Sequence, residues 1–285
     1  MSTVLARKDP QHFKTQALHV EADAHALHYQ GLPLPLNFQQ MLARRRPLAA
    51  PKDSRQFVLE LANLGVSVRL TLAWQGQDYQ VLVRQRRSDR GDCVLKLISG
   101  YVPAHELQLP LLSAVTEVAE ECLVQSPAGW LQGRYLDTWL ATPYPTLRYC
   151  HQYFQLRPQC GAALAVYCQG QPLMERPQAY VHLPSASLQL VYDLRLQLPD
   201  NLRQISLQHA DERLEGDALV ARLEPQHELF LLAPEQNRLF TLEQGELRPF
   251  QHTQALWLSE AFAARDGWLV HDERIAWHDW LRRAA

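Results

Sequence analysis

Residues 66–85 constrain the fold most. VSVRLTLAW (66–74) alternates apolar and polar side chains, QGQD (75–78) is a turn, and YQVLVRQ (79–85) returns in the same alternating pattern. A period of two with a turn at its centre is the signature of a hairpin with one buried face. CVLKLIS (93–99) predicts a further strand, and more strands are expected at 147–156, 161–168, 178–183 and 187–198. From about residue 203, ALVARLE, ELFLLAP, RLFTLEQ and ELRPF follow one another between turn-like PQH, PEQN and QG, which reads as an antiparallel meander.

Helical signals are fewer. Leu111 to Val124 has helical periodicity, with Leu111, Val115, Val118 and Cys122 on one face, flanked by Leu112, Ala119 and Leu123. Asn37 is placed to cap a short helix, FQQMLARRR, ending before Pro47. Ser259 and Asp272 are placed to cap two terminal helices, SEAFAARD and ERIAWHDWLRRA. Residues 1–56 otherwise read as irregular, with LPLPL (32–36) extended, and PLAAPKDS (47–54) reads as a linker. The order β, central helix, β, terminal helices predicts an α+β chain with a β-rich C-terminal region. The expected divisions are an N-terminal extension (1–56), a mixed-sheet domain (57–185) and a C-terminal region (186–285) ending in two short helices.

Composition bounds the function. Of 285 residues, 47% are apolar, enough for a sizeable core. The 28 basic and 30 acidic residues leave a net charge of -2, so no global basic field draws the chain to nucleic acid or anionic membrane. Arg44, Arg45 and Arg46 form the one dense basic run, read as a solvated helix end. Five cysteines, an odd number with no CxxC pair, suggest neither a disulfide framework nor a cysteine zinc site. With no apolar run of signal-peptide or bilayer-spanning length, the expectation is a soluble cytoplasmic protein.

Glu117, Glu120 and Glu121 fall within five positions, opposite the apolar helix face, with no Lys or Arg among them. At i, i+3 and i+4 their carboxylates are neighbours, at a cost of a few tenths of a kcal/mol per pair. Two readings stand: a solvated acidic face, or a cradle for a hard divalent cation, which takes oxygen ligands. Gly100 at the end of the preceding strand allows close backbone approach. A strand, a glycine and a helix with convergent carboxylates would suit a phosphate-bearing substrate.

This segment resembles the Nudix box, GxxxxxE, a spacer, then REUxEExGU. Gly100 and Glu106 match the opening, and Thr116 to Val124 occupy the second half. YQVLVRQRR before the box looks like the family's usual lead-in, and the resemblance spans residues 65–156. It departs in three places. The spacer holds nine residues rather than seven, Thr116 stands for the family's Arg, and Leu123 for its Gly. The Arg would pair with Glu106.

The resemblance implies a Nudix-like mixed sheet with helices and a Mg²⁺- or Mn²⁺-dependent hydrolase of nucleoside diphosphate derivatives. It assigns metal ligation to the Gly100 carbonyl, Glu117, Glu120 and Glu121, with Glu117 and Glu120 as the catalytic carboxylates. Arg84 before the box, and Tyr144, Arg148 and Tyr153 after it, are the candidate substrate contacts, set against a plain half-buried strand for the aromatic-rich segment. The departures motivate an alternative, a Nudix-like nucleotide-binding module with weak or no catalysis. Expected partners are a small nucleotide derivative, no membrane and no extended nucleic acid, with a homodimer left open.

Two further groups carry less. His19, Glu21, Asp23, His25 and His28 are metal-ligating types without a recognised spacing, so a polar segment is the expectation. Trp268, Trp277 and Trp280, with His271 and His278, read as packing residues. No GxSxG, P-loop or GxGxxG signature is present.

Overall fold

The structure is a computed structural model that describes residues 3–9, 14–23, 25–37, 40, 43–44, 49, 56–87, 92–159, 165–182, 186–223, 228–236, 238–250, 256–259, 269–270 and 274–276. The strands begin with β1 (Thr3–Lys8), β2 (Lys14–Ala22), β3 (Ala26–Asn37), β4 (Phe57–Trp74), β5 (Gln77–Arg87), β6 (Asp92–Lys96) and β7 (Ile98–Tyr101). A 3-10 turn at Ala104–Glu106 leads into α1 (Pro110–Glu121). Then come β8 (Cys122–Ser126), β9 (Gly129–Tyr135), β10 (Thr138–Trp139), β11 (Tyr149–Pro158), β12 (Ala165–Cys168), β13 (Gln171–Pro172), β14 (Gln178–His182) and β15 (Ser187–Gln197). The remainder is β16 (Ser206–Glu215), β17 (Ala218–Leu223), β18 (Leu229–Ala233), β19 (Arg238–Glu243), β20 (Glu246–Pro249), β21 (Leu256–Ser259), β22 (Leu269–Val270) and β23 (Arg274–Ala276).

The centre is a parallel pairing of β4 with β15. Leu64, Val66, Val68, Leu70 and Leu72 lie opposite Leu188, Leu190, Tyr192, Leu194 and Leu196. All ten side chains are buried. A slip of one residue would turn both apolar rows away from the core, so the hydrophobic pattern fixes this register. The opposite face is polar and paired. Asn63 Nδ2 donates to Ser187 Oγ at 3.0 Å, and Arg69 meets Asp193 at 2.8 Å.

The predicted hairpin forms, with β4 antiparallel to β5, but the expected single meander is split: β16 pairs with β17 and β18, β19 and β20 pair in order, while β17 turns to β1 and β18 to β5. Two strands change sheets along their length. β4 pairs first with β2 and then with β15, and β16 pairs first with β8 and then with β17.

The expected α+β balance does not hold. The described residues are mostly β, and α1 is the one continuous α-helix among them. The helix-flanked Nudix-like arrangement is replaced by further strands. Leu18, Val20, Leu27 and Tyr29 of β2 and β3 join the buried cluster that holds β4 and α1. The stretch 1–56, read as irregular, thus supplies core strands. The C-terminal helix expected after Asp272 is also corrected, because Arg274–Ala276 pairs with β21 as a strand. SEAFAARD lies outside the described residues beyond Ser259, as do Arg45, Arg46, Trp268, His271, Trp277, His278 and Trp280. The Asn37 cap is present. The Gln40 amide donates to Asn37 Oδ1 at 2.8 Å, and Gln40, Ala43 and Arg44 are helical.

α1 starts where expected but is shorter: Cys122–Val124, read as its last turn, are the start of β8. Proline opens it at the first turn, where its missing N–H has no helical acceptor to lose. Leu111, Val115 and Val118 face the core as expected, while Leu112 is exposed. No glycine follows the helix, and Cys122 leads straight into β8. Among the described residues no helix is long and apolar enough to cross a membrane.

Candidate functional site

Three elements deliver the site. Gly100 sits in β7 directly opposite Val66 of β4, on the sheet face that α1 covers. The last turn of α1 lays Glu117 over it, so closely that a Cβ built on Gly100 would fall 1.8 Å from Glu117 Oε1. A Cβ at this position would push the Glu117 carboxylate off the strand. β8 then pairs with β16 so that His209 lies opposite Cys122, the residue after Glu121.

Glu117, Glu121, Gly100, Ser99, Lys96 and His209 line a common cavity of about 510 Å³, which Asp211, Glu212, Arg84 and Gln189 also border. The missing compensation for the acidic helix comes from distant elements. Lys96 of β6 acts on both Glu117 and Glu121, and Lys8 of β1 pairs with Glu120 at 3.2 Å and Glu212 at 3.1 Å.

The neighbouring carboxylates are driven apart. Burial, then the charges of Glu121 and Glu120, push Glu117 well above the usual carboxylate range, against the pull of Lys96. Burial also opposes ionisation of Glu121, but Lys96, His209 and the Ser99 amide together hold it below that range. Burial raises Glu120 and outweighs the ion pair with Lys8. Burial disfavours the Lys8 ammonium, yet Glu120 and Glu212 raise it above its ordinary value.

The structure brings together Gly100, Glu117 and Glu121. Glu120 pairs with Lys8 and is not among the residues lining the cavity. Glu106, left without the family's arginine, accepts a hydrogen bond from Ser113 Oγ at 2.6 Å.

Of the candidate substrate contacts, Arg84 borders the cavity. It is held by Glu228 through contacts of 2.5 and 3.1 Å and packs over Phe230 and Phe250. Tyr144 is buried in a separate small cluster, its hydroxyl donating to the Glu120 carbonyl at 3.2 Å. Arg148 is exposed, with its carbonyl accepting from the Trp130 amide. Tyr153 meets Trp139 edge-on, with the Arg134 guanidinium 5.0 Å from both rings. Tyr144, Arg148 and Tyr153 are not among the residues lining the cavity.

The sequence reading missed Lys96, His209, Asp211 and Glu212. One signal was available for His209. Ile205, Leu207 and His209 occupy successive inward positions of an alternating segment, and all three are buried. A histidine in an inward slot is a buried polar group that needs a partner. The His19–His28 segment runs from the end of β2 through the turn into β3, and in the turn Asp23 Oδ1 accepts from the His25 and Ala26 amides at 2.7 and 2.8 Å.

The residues can be tested against the cation that the box resemblance implies. Among the described residues no three His, Cys, Asp or Glu side chains form a ready-made metal group. Mg²⁺, however, is usually held by one or two carboxylates, several of its own waters and substrate phosphates. Glu117 and Glu121 beside a bare glycine meet that smaller requirement. Glu121 Oε2 is buried and makes no hydrogen bond, its neighbour being His209 Nε2 at 3.8 Å, so a cation could still satisfy it.

No protein-family model matches the chain. No curated protein matches it. Among solved structures, a MutT/nudix family protein from Enterococcus faecalis is similar over 65% of this chain, at 12% identity and a TM-score of 0.27. This chain spans 57% of that protein's length, less than two thirds.

Proposed function

We propose that the cavity between α1 and β16 hydrolyses the diphosphate of a nucleoside diphosphate derivative with the help of a divalent cation. The observation that carries this reading is the convergence of Glu117 and Glu121 on the Gly100 backbone inside one cavity. A cation bound there would neutralise diphosphate charge and lower the pKa of a bound water. Glu117 and Glu121 are the residues that would hold it. Lys96, the cavity's cation beside both glutamates, would meet a phosphate oxygen as a point charge. Arg84, fixed by Glu228, forms a wall of the same cavity and orients what enters.

A specific contact favours a second reading, a Nudix-like nucleotide-binding module with weak or no turnover. Lys8 engages Glu120, a carboxylate to which the resemblance assigns both ligation and catalysis.

The test measures phosphate release from a panel of nucleoside diphosphate derivatives, coupled to a phosphatase, with Mg²⁺ or Mn²⁺ titrated in. The wild-type chain is expected to turn over at least one member only when cation is present. Glu121→Gln and Glu117→Gln should each lower the rate by about 100-fold or more, as loss of a charge-stabilising group does. Glu120→Gln should cost much less. Cation and nucleotide binding without release would establish the second reading.

A further inference from the structure

We infer that the sheet face turned away from α1, around Trp139, Tyr153 and Arg134, is a docking site for single-stranded nucleic acid. None of these three residues lines the cavity, and the proposed hydrolysis does not depend on them.

Neighbouring strands build this face. In β11, Phe154 and Leu156 are buried in the cluster that holds α1, so the alternate residues Tyr153, Gln155 and Arg157 point the other way. β9 sets Arg134 beside Gln155, and β15 sets Arg195 directly opposite Arg157. β10 pairs with β9 and brings Trp139 against Tyr153, with ring centroids 5.4 Å apart and planes at 74°. The Arg134 guanidinium lies 5.0 Å from both rings.

Two of these features are costly on an empty surface. Trp139 is 51% exposed, although tryptophan is highly buried on average. Arg157 and Arg195 are like charges directly across a ladder, which repel. Asp78 offsets Arg195 at 2.6 and 2.7 Å. Arg157 is exposed and donates to the neutral Gln155 amide oxygen at 3.2 and 3.1 Å. Arg134 Nη2 donates to the Asp137 carbonyl at 2.9 Å, with the Asp137 carboxylate 4.0 Å away. Flat rings joined by phosphates complement this arrangement. A base would stack on the open indole, with Arg134 adding cation–π support, and a phosphate would lie over Arg157 and Arg195. From Tyr153 to Arg157 the strand rises about 13 Å. One nucleotide does not reach that far between base and phosphate, so the fitting ligand is a strand. A duplex hides its base faces within the stack and cannot use the platform. The net charge of -2 supplies no long-range attraction, so binding depends on these contacts.

The test uses the full chain and a fluorescent thymidine oligomer of about 12 nucleotides, a length within the range such faces cover. Anisotropy at low salt should show binding with a dissociation constant on the order of 10 µM. Trp139→Ala should weaken it about fivefold or more, the effect of losing one stacked base, and Trp139→Phe, which keeps a ring, should restore most of it. Arg157→Gln should weaken binding and lower the slope of log affinity against log salt by about 0.7, the loss of one phosphate contact to a single strand. Circular dichroism would confirm that each variant is folded. No binding by the wild-type chain overturns the inference. So does binding that Trp139→Ala leaves unchanged, or equal binding of a duplex or of inorganic polyphosphate, which would show charge acting alone. If a proline-rich peptide binds at Trp139, or Trp139→Ala dissociates a dimer in sedimentation, and the oligomer does not bind, the face belongs to a protein partner and the inference falls. None of these outcomes bears on hydrolysis at the cavity.

Discussion

Gly100 is the position where one atom decides the most. Its missing Cβ leaves the space that Glu117 Oε1 occupies. Gly100→Ala must move the carboxylate, because β7 is fixed from the other side by its ladder to β4. A displacement of about 1 Å at a reacting centre costs on the order of 100-fold in rate. We expect Gly100→Ala to lose cation-stimulated turnover on that scale while its far-ultraviolet circular dichroism stays at the wild-type trace. Gly100, Glu117 and Glu121 were legible because they lie close together in sequence and their spacing has chemical meaning. Lys8, Lys96 and His209 were not. Each is a single polar residue in a strand, and nothing local says that strands so far apart in sequence meet at one helix end.

At the level of the element, α1 shows how a burial pattern becomes stability. Val118 is fully buried and Leu112 is 42% exposed on the same helix. Val118→Ala should destabilise by about 2–3 kcal/mol, from lost transfer energy plus a residual cavity. Leu112→Ala should stay within about 0.5 kcal/mol. Urea midpoints of the two variants check the contrast. The helix was readable because a 3.6-residue period ran through it, but the same period carried the expectation on to Val124, where pairing with β16 makes Cys122–Val124 a strand. β2 and β3 were hidden for the opposite reason. Their pairing shifts register between Gln16 and Leu18, where Gln16 faces Pro35 and Leu18 faces Gly31. An irregularity of this kind breaks the two-residue period that would have shown a strand. At β23, local helical composition lost to pairing with β21, a tertiary override of propensity.

At the scale of the molecule, the expected boundary at 185/186 falls just before β15, which runs beside β4 for ten residue pairs. β18, also beyond that boundary, pairs with β5. Residues 57–185 made alone would leave the apolar rows of β4 without their partner. We expect that fragment to show no cooperative thermal transition, whereas the full chain melts as a unit. A sharp melt of the fragment would restore the division read from the sequence.

The same pairing bears on how the chain is made. Asn63 and Ser187 touch across a separation of 124 residues. During synthesis, β4 leaves the ribosome long before β15 exists to cover it. Contacts this distant along the chain also slow folding, since the loop must close before they give any return. A nascent chain carrying Leu64 through Leu72 uncovered offers a sticky template to its neighbours, and its yield in a cell would depend on holding chaperones and a slow, cool induction.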